Sequence, residues 1–301
     1  MRYRYLFLVV IFALVTSDLK ARDSGTQILE WRQLPDLPNP GGVAGAFSGV
    51  SNDVLIVAGG TNFPEPLFKE GRVNPKAKKA WYDEVYVLKS QSDSWQKADS
   101  LPYTLGYGAS VTTHDGLVCI GGSNGRKNFS DVFLLEFTDG RIRRTLLPAL
   151  PGPAANTAAA LLENTIYVAG GQASPDSKKA MNNFWALDLS RENPSWHILE
   201  SWLGPGRILP VVAVQDSSFF LFSGCELLTD ENGNVYRKYL TDGYRFTTNK
   251  GKAVNGRWKK IADVPLPVAG APTPAVAAGQ THILVFGGDH GRYATGILEL
   301  M

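Results

Sequence analysis

Residues 54–60 read VLIVAGG, an apolar run that ends in a pair of glycines. The same pattern returns four times in this chain of 301 residues. The four later copies are LVCIGG (117–122), TIYVAGG (165–171), FFLFSG (219–224) and ILVFGG (283–288). Self-similarity at a spacing of roughly 50 to 64 residues indicates a repeat architecture and not a plain β-sandwich.

Each copy of the glycine motif is flanked by the same kinds of segment. A strand of small residues precedes it, as in GVAGAFSGV (42–50) and NTAAALL (156–162). A polar loop and a third apolar strand follow it, as in DVFLLEF (131–137) and FWALDL (184–189). A tryptophan opens the fourth strand in three repeats, at Trp95, Trp196 and Trp258, whereas RIRRTLL (141–147) takes that place in the second repeat.

Four strands per repeat of about 50 residues are typical of a kelch-type β-propeller. Small side chains suit the crowded inner strands, and the glycine pair allows unusual φ angles where the chain leaves the second strand. The tryptophans are expected to fill space between neighbouring blades, since no blade buries both of its faces alone. The sequence therefore predicts an all-β kelch propeller with five recognisable repeats.

The closure of the ring has two interpretations. After Gly288 the chain holds one loop and one strand, residues 295–300, and the last repeat has no tryptophan strand of its own. The segment ILEWRQLPDLP (28–38), with Trp31, is similar to a fourth strand. Either this segment closes a ring of five blades, or one blade is missing.

The N-terminus is predicted to be a signal peptide, residues 1–21, with the propeller at residues 22–301. Arg2 and Arg4 precede an apolar run of 11 residues, which is too short to span a bilayer. The alternative is an uncleaved anchor. Cleavage predicts an exported protein, with the periplasm as first choice and no membrane contact in the mature chain.

Composition excludes several classes of partner. The net charge is +2, which gives no basis for a nucleic-acid partner. Cys119 and Cys225 lie in apolar strands of different repeats, so free buried thiols are favoured over a disulfide. No metal-ligand spacing is present, and no cofactor is predicted. The oligomeric state stays open.

Two stretches of the first half carry a resemblance to a known family. GGVAGAFSGVSNDVLIVAGGTNFP (41–64) and LPYTLGYGASVTTHDGLVCIGG (101–122) resemble blades of the N-acetylneuraminate epimerase (sialic acid mutarotase) family of six-bladed periplasmic kelch propellers. The resemblance is specific over roughly residues 31–137. The blade order resembles the cyclically permuted branch of that family.

This resemblance implies an isomerase that interconverts the α and β anomers of sialic acid by general acid–base ring opening. The family's catalytic pair lies in a Gly-Glu-x-x-Pro-Gly-x-Arg stretch, and none occurs in these 301 residues. No catalytic Glu or Arg is therefore carried over. The alternative is a non-enzymatic propeller that binds a sugar or a protein, because the kelch fold alone defines no activity.

Candidate site residues lie on the loops that follow the glycine motifs, which should emerge together. Glu226 and Asp289 are the candidate acid–base residues, while Asn62 and Arg72 are candidates for substrate binding. Arg207 is a further candidate for substrate binding, because the resemblance matches it to an arginine in the family's equivalent blade. The basic run Lys76, Lys78 and Lys79 is more typical of a solvated loop than of a binding patch.

Overall fold

The computed structural model describes residues 30–291 except 40, 92, 250 and 251. The described residues contain β-strands and no helix. In chain order the strands are β1 (Phe47–Ser51), β2 (Val54–Ala58), β3 (Thr61–Asn62), β4 (Phe68–Lys69), β5 (Arg72–Val73), β6 (Ala80–Trp81), β7 (Glu84–Leu88), β8 (Gln96–Ser100), β9 (Ala109–Thr113), β10 (Gly116–Ile120), β11 (Val132–Thr138), β12 (Arg141–Leu147), β13 (Ala158–Leu162), β14 (Thr165–Ala169), β15 (Phe184–Asp188), β16 (Trp196–Leu199), β17 (Val211–Gln215), β18 (Ser218–Phe222), β19 (Cys225–Thr229), β20 (Val235–Tyr239), β21 (Gly243–Asn249), β22 (Lys252–Ile261), β23 (Val276–Ala278) and β24 (His282–Leu284).

The first four repeats each form one antiparallel sheet of four strands. The strand orders are β1-β2-β7-β8, β9-β10-β11-β12, β13-β14-β15-β16 and β17-β18-β21-β22. The fifth repeat contributes the pair β23-β24, and its predicted third strand, residues 295–300, lies outside the described residues. The strand assignments predicted for the first four repeats, and those of the first two strands of the fifth, are confirmed.

The core lies between the blades. Phe47 and Ile56 of the first blade pack with Leu117 and Phe133 of the second. The second and third blades meet through a second apolar cluster, and the third and fourth through an aromatic one that includes Tyr167, Phe184, Phe219 and Phe246. This arrangement agrees with the expectation that a blade buries its faces only against neighbours.

The tryptophans join consecutive blades as well as filling space. Trp196 donates its indole N–H to the Pro148 carbonyl at 2.7 Å, where the preceding blade ends. Trp258 donates in the same way to Glu200 at 2.9 Å. Through these hydrogen bonds each partly buried tryptophan fixes the exit of the blade before it.

The glycine pair has a specific geometric cause. Gly60 and Gly122 donate their N–H groups at 2.8 Å to carbonyls at the start of the next repeat, those of Leu105 and Ala154. A Cβ on the first glycine of either pair, Gly59 or Gly121, would overlap that same carbonyl oxygen, and both residues have left-handed φ angles. The motif therefore allows two blades to approach closely.

Ring closure through the Trp31 segment is not seen in the described residues. Residues 30–38 contain no strand, and the Trp31 side chain is 77% exposed. The described residues divide into two units, with the boundary between Leu34 and Pro35. The predicted signal peptide, residues 1–21, lies outside the described residues.

Both cysteines are free and buried, as predicted. Burial raises the pKa of the Cys119 thiol well above its usual value. Burial also raises the pKa of Cys225 to about 12. Both side chains therefore behave as small apolar groups in the core.

Candidate functional site

Five equivalent residues, one ahead of each inner strand, define one end of the propeller. Four backbone hydrogen bonds link them in order, because each member after the first donates its N–H to the carbonyl of its counterpart in the preceding repeat, over 2.7 to 3.3 Å. All five have φ between 52° and 65°. We call this set the mouth ring: Gly45, Tyr107, Asn156, Leu209 and Gly270.

The loops that follow the glycine motifs meet at this ring. Each loop begins with an antiparallel bridge to the residue just before a member of the ring. The bridges are Ala44–Thr61, Gly106–Ser123, Ala155–Gln172, Ile208–Cys225 and Ala269–Asp289. The polar loops therefore converge at one end of the fold, and that end is the candidate site.

A cluster of aromatic rings around a lysine occupies the first part of this end. The Lys79 ammonium lies 5.2 Å from the ring centre of Tyr107 and 5.4 Å from that of Phe63. It also lies 3.5 Å from the Tyr107 hydroxyl oxygen. Trp81 meets Tyr107 edge to face at 5.6 Å, and Thr61 donates to the Tyr107 hydroxyl at 3.0 Å. We call Phe63, Lys79, Trp81 and Tyr107 the aromatic–lysine cluster.

Asn62 lies beside this cluster and links three segments. Its amide nitrogen donates to the Asn39 side chain at 2.8 Å and to the Gly42 carbonyl at 2.9 Å. Its amide oxygen accepts from the Tyr82 hydroxyl at 2.7 Å. Asn62 therefore positions the walls of the mouth, and its predicted role in substrate binding stays a prediction.

Arg72 lies away from these contacts. It sits in the two-residue strand β5, which pairs with β4 to form a small hairpin within the long first loop. All four residues of this hairpin are exposed. The structure thus does not bring Arg72 together with the aromatic–lysine cluster, and no contact tests its predicted role.

Arg207 is fully buried and bound within the protein. Its guanidinium donates to both carboxylate oxygens of Asp242 at 2.9 Å and to the Ser223 carbonyl at 3.0 Å. The rings of Trp202 and Tyr244 lie 5.3 and 5.5 Å from it. This geometry favours a structural role, because the forked donor already has a bidentate partner.

The Arg207 guanidinium changes the pKa of the Asp242 carboxyl group. Burial would raise its pKa, but the hydrogen bonds and the charge of Arg207, with the Tyr244 hydroxyl, hold the pKa below its usual value. The pair is consequently ionised at neutral pH.

Glu226 and Asp289 both lie at the mouth, in different surroundings. Glu226, in β19, is partly buried and pairs with Lys238 on the neighbouring strand at 3.6 Å. Asp289 accepts a short hydrogen bond from Tyr239 and another from the Gly291 N–H at 2.8 Å. Although desolvation opposes the effect, these bonds and the charges of His290 and Arg237 lower the pKa of Asp289.

The described residues hold no group of three or more His, Cys, Asp or Glu side chains that could bind a metal ion. Among them there is also no helix that is long and apolar enough to cross a membrane.

Sequence reasoning missed the aromatic–lysine cluster. The sequence predicts a solvated loop for Lys79 and singles out no role for Tyr107. The available signal was Trp81 and Tyr82 directly after the basic run. The pairing of β3 with β6 brings both ends of the long loop back to the mouth.

Comparison with known structures defines the class of fold. The chain is similar to the solved structure of YjhT with a TM-score of 0.67 and 15% identity, over 87% of this chain and 82% of that one. The chain is a kelch-type β-propeller.

Comparison of sequences confirms the predicted resemblance. The model of the N-acetylneuraminate epimerase family matches residues 10–143. Curated N-acetylneuraminate epimerases are similar over part of their length. The Haemophilus influenzae (strain 86-028NP) protein is 38% identical over 123 residues, which cover 38% of this chain and 32% of that protein. The Vibrio cholerae protein is 36% identical over 138 residues, which cover 42% of this chain and 35% of that protein. The matched part thus spans about a third of these relatives.

Proposed function

We propose that the mouth of this propeller binds a sugar acid of the N-acetylneuraminate type and interconverts its α and β anomers. One observation carries the proposal: the whole aromatic–lysine cluster lies within residues 10–143, the segment that matches the epimerase family. The same segment supplies Asn62 and the loops that hold the cluster in place. The proposed place of action is the periplasm, after removal of the signal peptide.

The chemistry of the cluster suits such a ligand. A sialic acid carries a carboxylate, and a lysine ammonium near an apolar surface binds one through a charge-assisted hydrogen bond. The rings of Trp81 and Tyr107 offer apolar surface for the C–H groups of the sugar. Lys79 is exposed and lies over its aromatic neighbours, so its ammonium remains accessible to an incoming carboxylate.

Anomer exchange needs one base and one acid. The base removes the proton of the anomeric hydroxyl, the ring C–O bond breaks, and the acid protonates the ring oxygen to give an open keto form. Rotation about the adjacent C–C bond and closure in the reverse sense give the other anomer. Asp289 is the proposed base because its ionised carboxylate lies at the mouth, and Glu226 is the second candidate.

The test is an NMR assay of freshly released α-N-acetylneuraminate, which follows conversion to the β anomer against the uncatalysed rate. The wild-type chain should accelerate conversion. Asp289→Asn should reduce the catalysed rate by about 10²- to 10⁴-fold, the usual contribution of general acid–base groups. Asp139→Asn is the matched control, because Asp139 lies in the exposed turn between β11 and β12 and not on a loop of the mouth.

Binding is tested separately with Lys79→Met and the neighbouring Lys78→Met. Loss of a hydrogen bond to a charged group should weaken binding by about 10- to 100-fold for the first variant only. Equal affinities for the two variants would contradict the assignment of Lys79.

A second function is a propeller that binds the sugar without turning it over. The Glu226–Lys238 ion pair and the hydrogen bonds that Asp289 accepts both favour it, because an engaged carboxylate is a weaker base. Binding that depends on Lys79, with no acceleration of anomer exchange by the folded wild-type chain, would select this alternative.

A further inference from the structure

A cavity of about 420 Å³ lies between the loop after Gly122 and the segment that joins β8 to β9. Its walls include Tyr103, Lys127, Asn128, Phe129, Ser130 and Asp131. None of these residues belongs to the aromatic–lysine cluster. The volume falls in the range of small-molecule sites.

Asn128 contributes a buried acceptor that no group in the described part of the chain uses. The residue is 7% exposed, and its amide nitrogen donates to the Gln172 carbonyl at 2.8 Å. A carbonyl only accepts hydrogen bonds, so this contact fixes which end of the amide is nitrogen. The amide oxygen is buried and has no hydrogen-bond partner among the described residues. A buried acceptor needs a donor, and Asn128 belongs to the wall of the cavity.

The charged groups of the cavity are balanced. Lys127 lies over the Phe129 ring at 4.7 Å, and Tyr103 stacks on that ring at 4.3 Å. Asp131 accepts a short hydrogen bond from the Tyr103 hydroxyl. An anion would meet the Asp131 carboxylate, and a cation would meet the Lys127 ammonium. A neutral ligand with hydroxyl donors avoids both penalties.

We propose that this cavity is a second binding site, which takes a neutral pyranose sugar whose hydroxyl group donates to the Asn128 amide oxygen. The polar groups of Lys127 and Ser130 are available to other hydroxyls of the same ring. The proposal does not depend on the function assigned to the mouth, because it uses different residues and a ligand of different charge.

The experiment is ligand-detected saturation-transfer NMR on the full chain with the methyl glycosides of galactose, glucose and mannose. Each probe is titrated to about 20 mM, well above a Kd of roughly 1 mM. The blocking variant is Ser130→Met, which adds volume at the wall and leaves the Asn128–Gln172 hydrogen bond intact. The matched control is Thr241→Met, since the Thr241 carbonyl accepts a backbone hydrogen bond from Val264 as that of Ser130 does from Leu150.

We expect at least one probe to give a saturable signal in the wild type and in Thr241→Met, and at least a tenfold weaker affinity in Ser130→Met. Anomer exchange of N-acetylneuraminate should be equal in all three proteins, which separates this test from that of the mouth. No signal with any probe, or a signal that survives in a folded Ser130→Met protein, would overturn the proposal.

Discussion

Removal of the Asp242 carboxylate should destabilise the fold far more than loss of an ordinary ion pair. The Arg207 side chain is 0% exposed and that of Asp242 is 16% exposed. In Asp242→Ala the buried guanidinium is therefore left without its bidentate partner. Breaking a buried pair in this way costs about 3–5 kcal/mol. The Tyr244 hydroxyl, which donates to the same carboxylate at 2.8 Å, loses its acceptor as well.

The assay is thermal unfolding followed by circular dichroism. For a domain of this size a loss of about 3–5 kcal/mol corresponds to a fall in Tm of roughly 6–20 °C. The control is Arg143→Ala, which breaks the Glu136–Arg143 pair on an exposed strand, where Arg143 is 67% exposed. Surface pairs of this kind contribute about 0–1 kcal/mol.

A double variant distinguishes the cost of an unpaired buried charge from the cost of a general loss of packing. Arg207→Met combined with Asp242→Ala removes the unpaired cation, so it should melt above Asp242→Ala alone. A Tm for Asp242→Ala within about 2 °C of the wild type, or one no lower than that of Arg143→Ala, would refute the reasoning.

The Arg207–Asp242 pair also makes the stability of the fold depend on pH. The folded pKa of Asp242 lies below its unfolded value, so its contribution to stability is complete above the unfolded pKa of about 3.9. It is lost as the pH falls through the folded pKa, because the unfolded state then binds the proton more readily. Acid unfolding of Asp242→Asn should lack this contribution.

Two further predictions concern the glycine motif and the thiols. Gly121→Ala places a Cβ against the Ala154 carbonyl at φ +61°, so it should lower the free energy of unfolding in urea by at least about 1–3 kcal/mol. Gly140→Ala, whose Cβ meets nothing within 4 Å, should cost less. Equal losses in the two variants would show that the close approach is unimportant. Cys119 and Cys225 are buried with raised pKa values, so a thiol reagent at about pH 8 should label neither until the chain unfolds; rapid labelling of the native protein would contradict their burial.

The sequence predicted the blades because each determinant of a blade is repeated. An apolar run, a glycine pair and a tryptophan recur at fixed places, and each makes the same kind of contact in its repeat. Gly59 shows the principle, since its neighbour in space, Leu105, belongs to the equivalent segment of the next repeat. Because this contact recurs from repeat to repeat, the glycine that permits it recurs at the same place in the sequence.

The site was less predictable because its contacts are not repeated. Arg207 lies just before an inner strand, where a loop arginine is usually solvated, yet Asp242 brings it fully inside. Lys79 joins two aromatic rings only because β3 and β6 pair across a long loop. Neither contact follows from spacing along the chain.

The indole hydrogen bonds also bear on ring closure. Trp95 donates to the Pro35 carbonyl at 2.9 Å, as Trp196 donates to Pro148 at the end of the second blade. Pro35 thus takes the place of a blade exit relative to the first blade. This bond ties the chain at Pro35 to the first blade. Replacement of Trp95 by Phe, which removes the donor and keeps most of the apolar surface, should loosen the segment around Pro35. Faster proteolysis there than in Trp196→Phe would support this argument, and equal protection in the two variants and the wild type would contradict it.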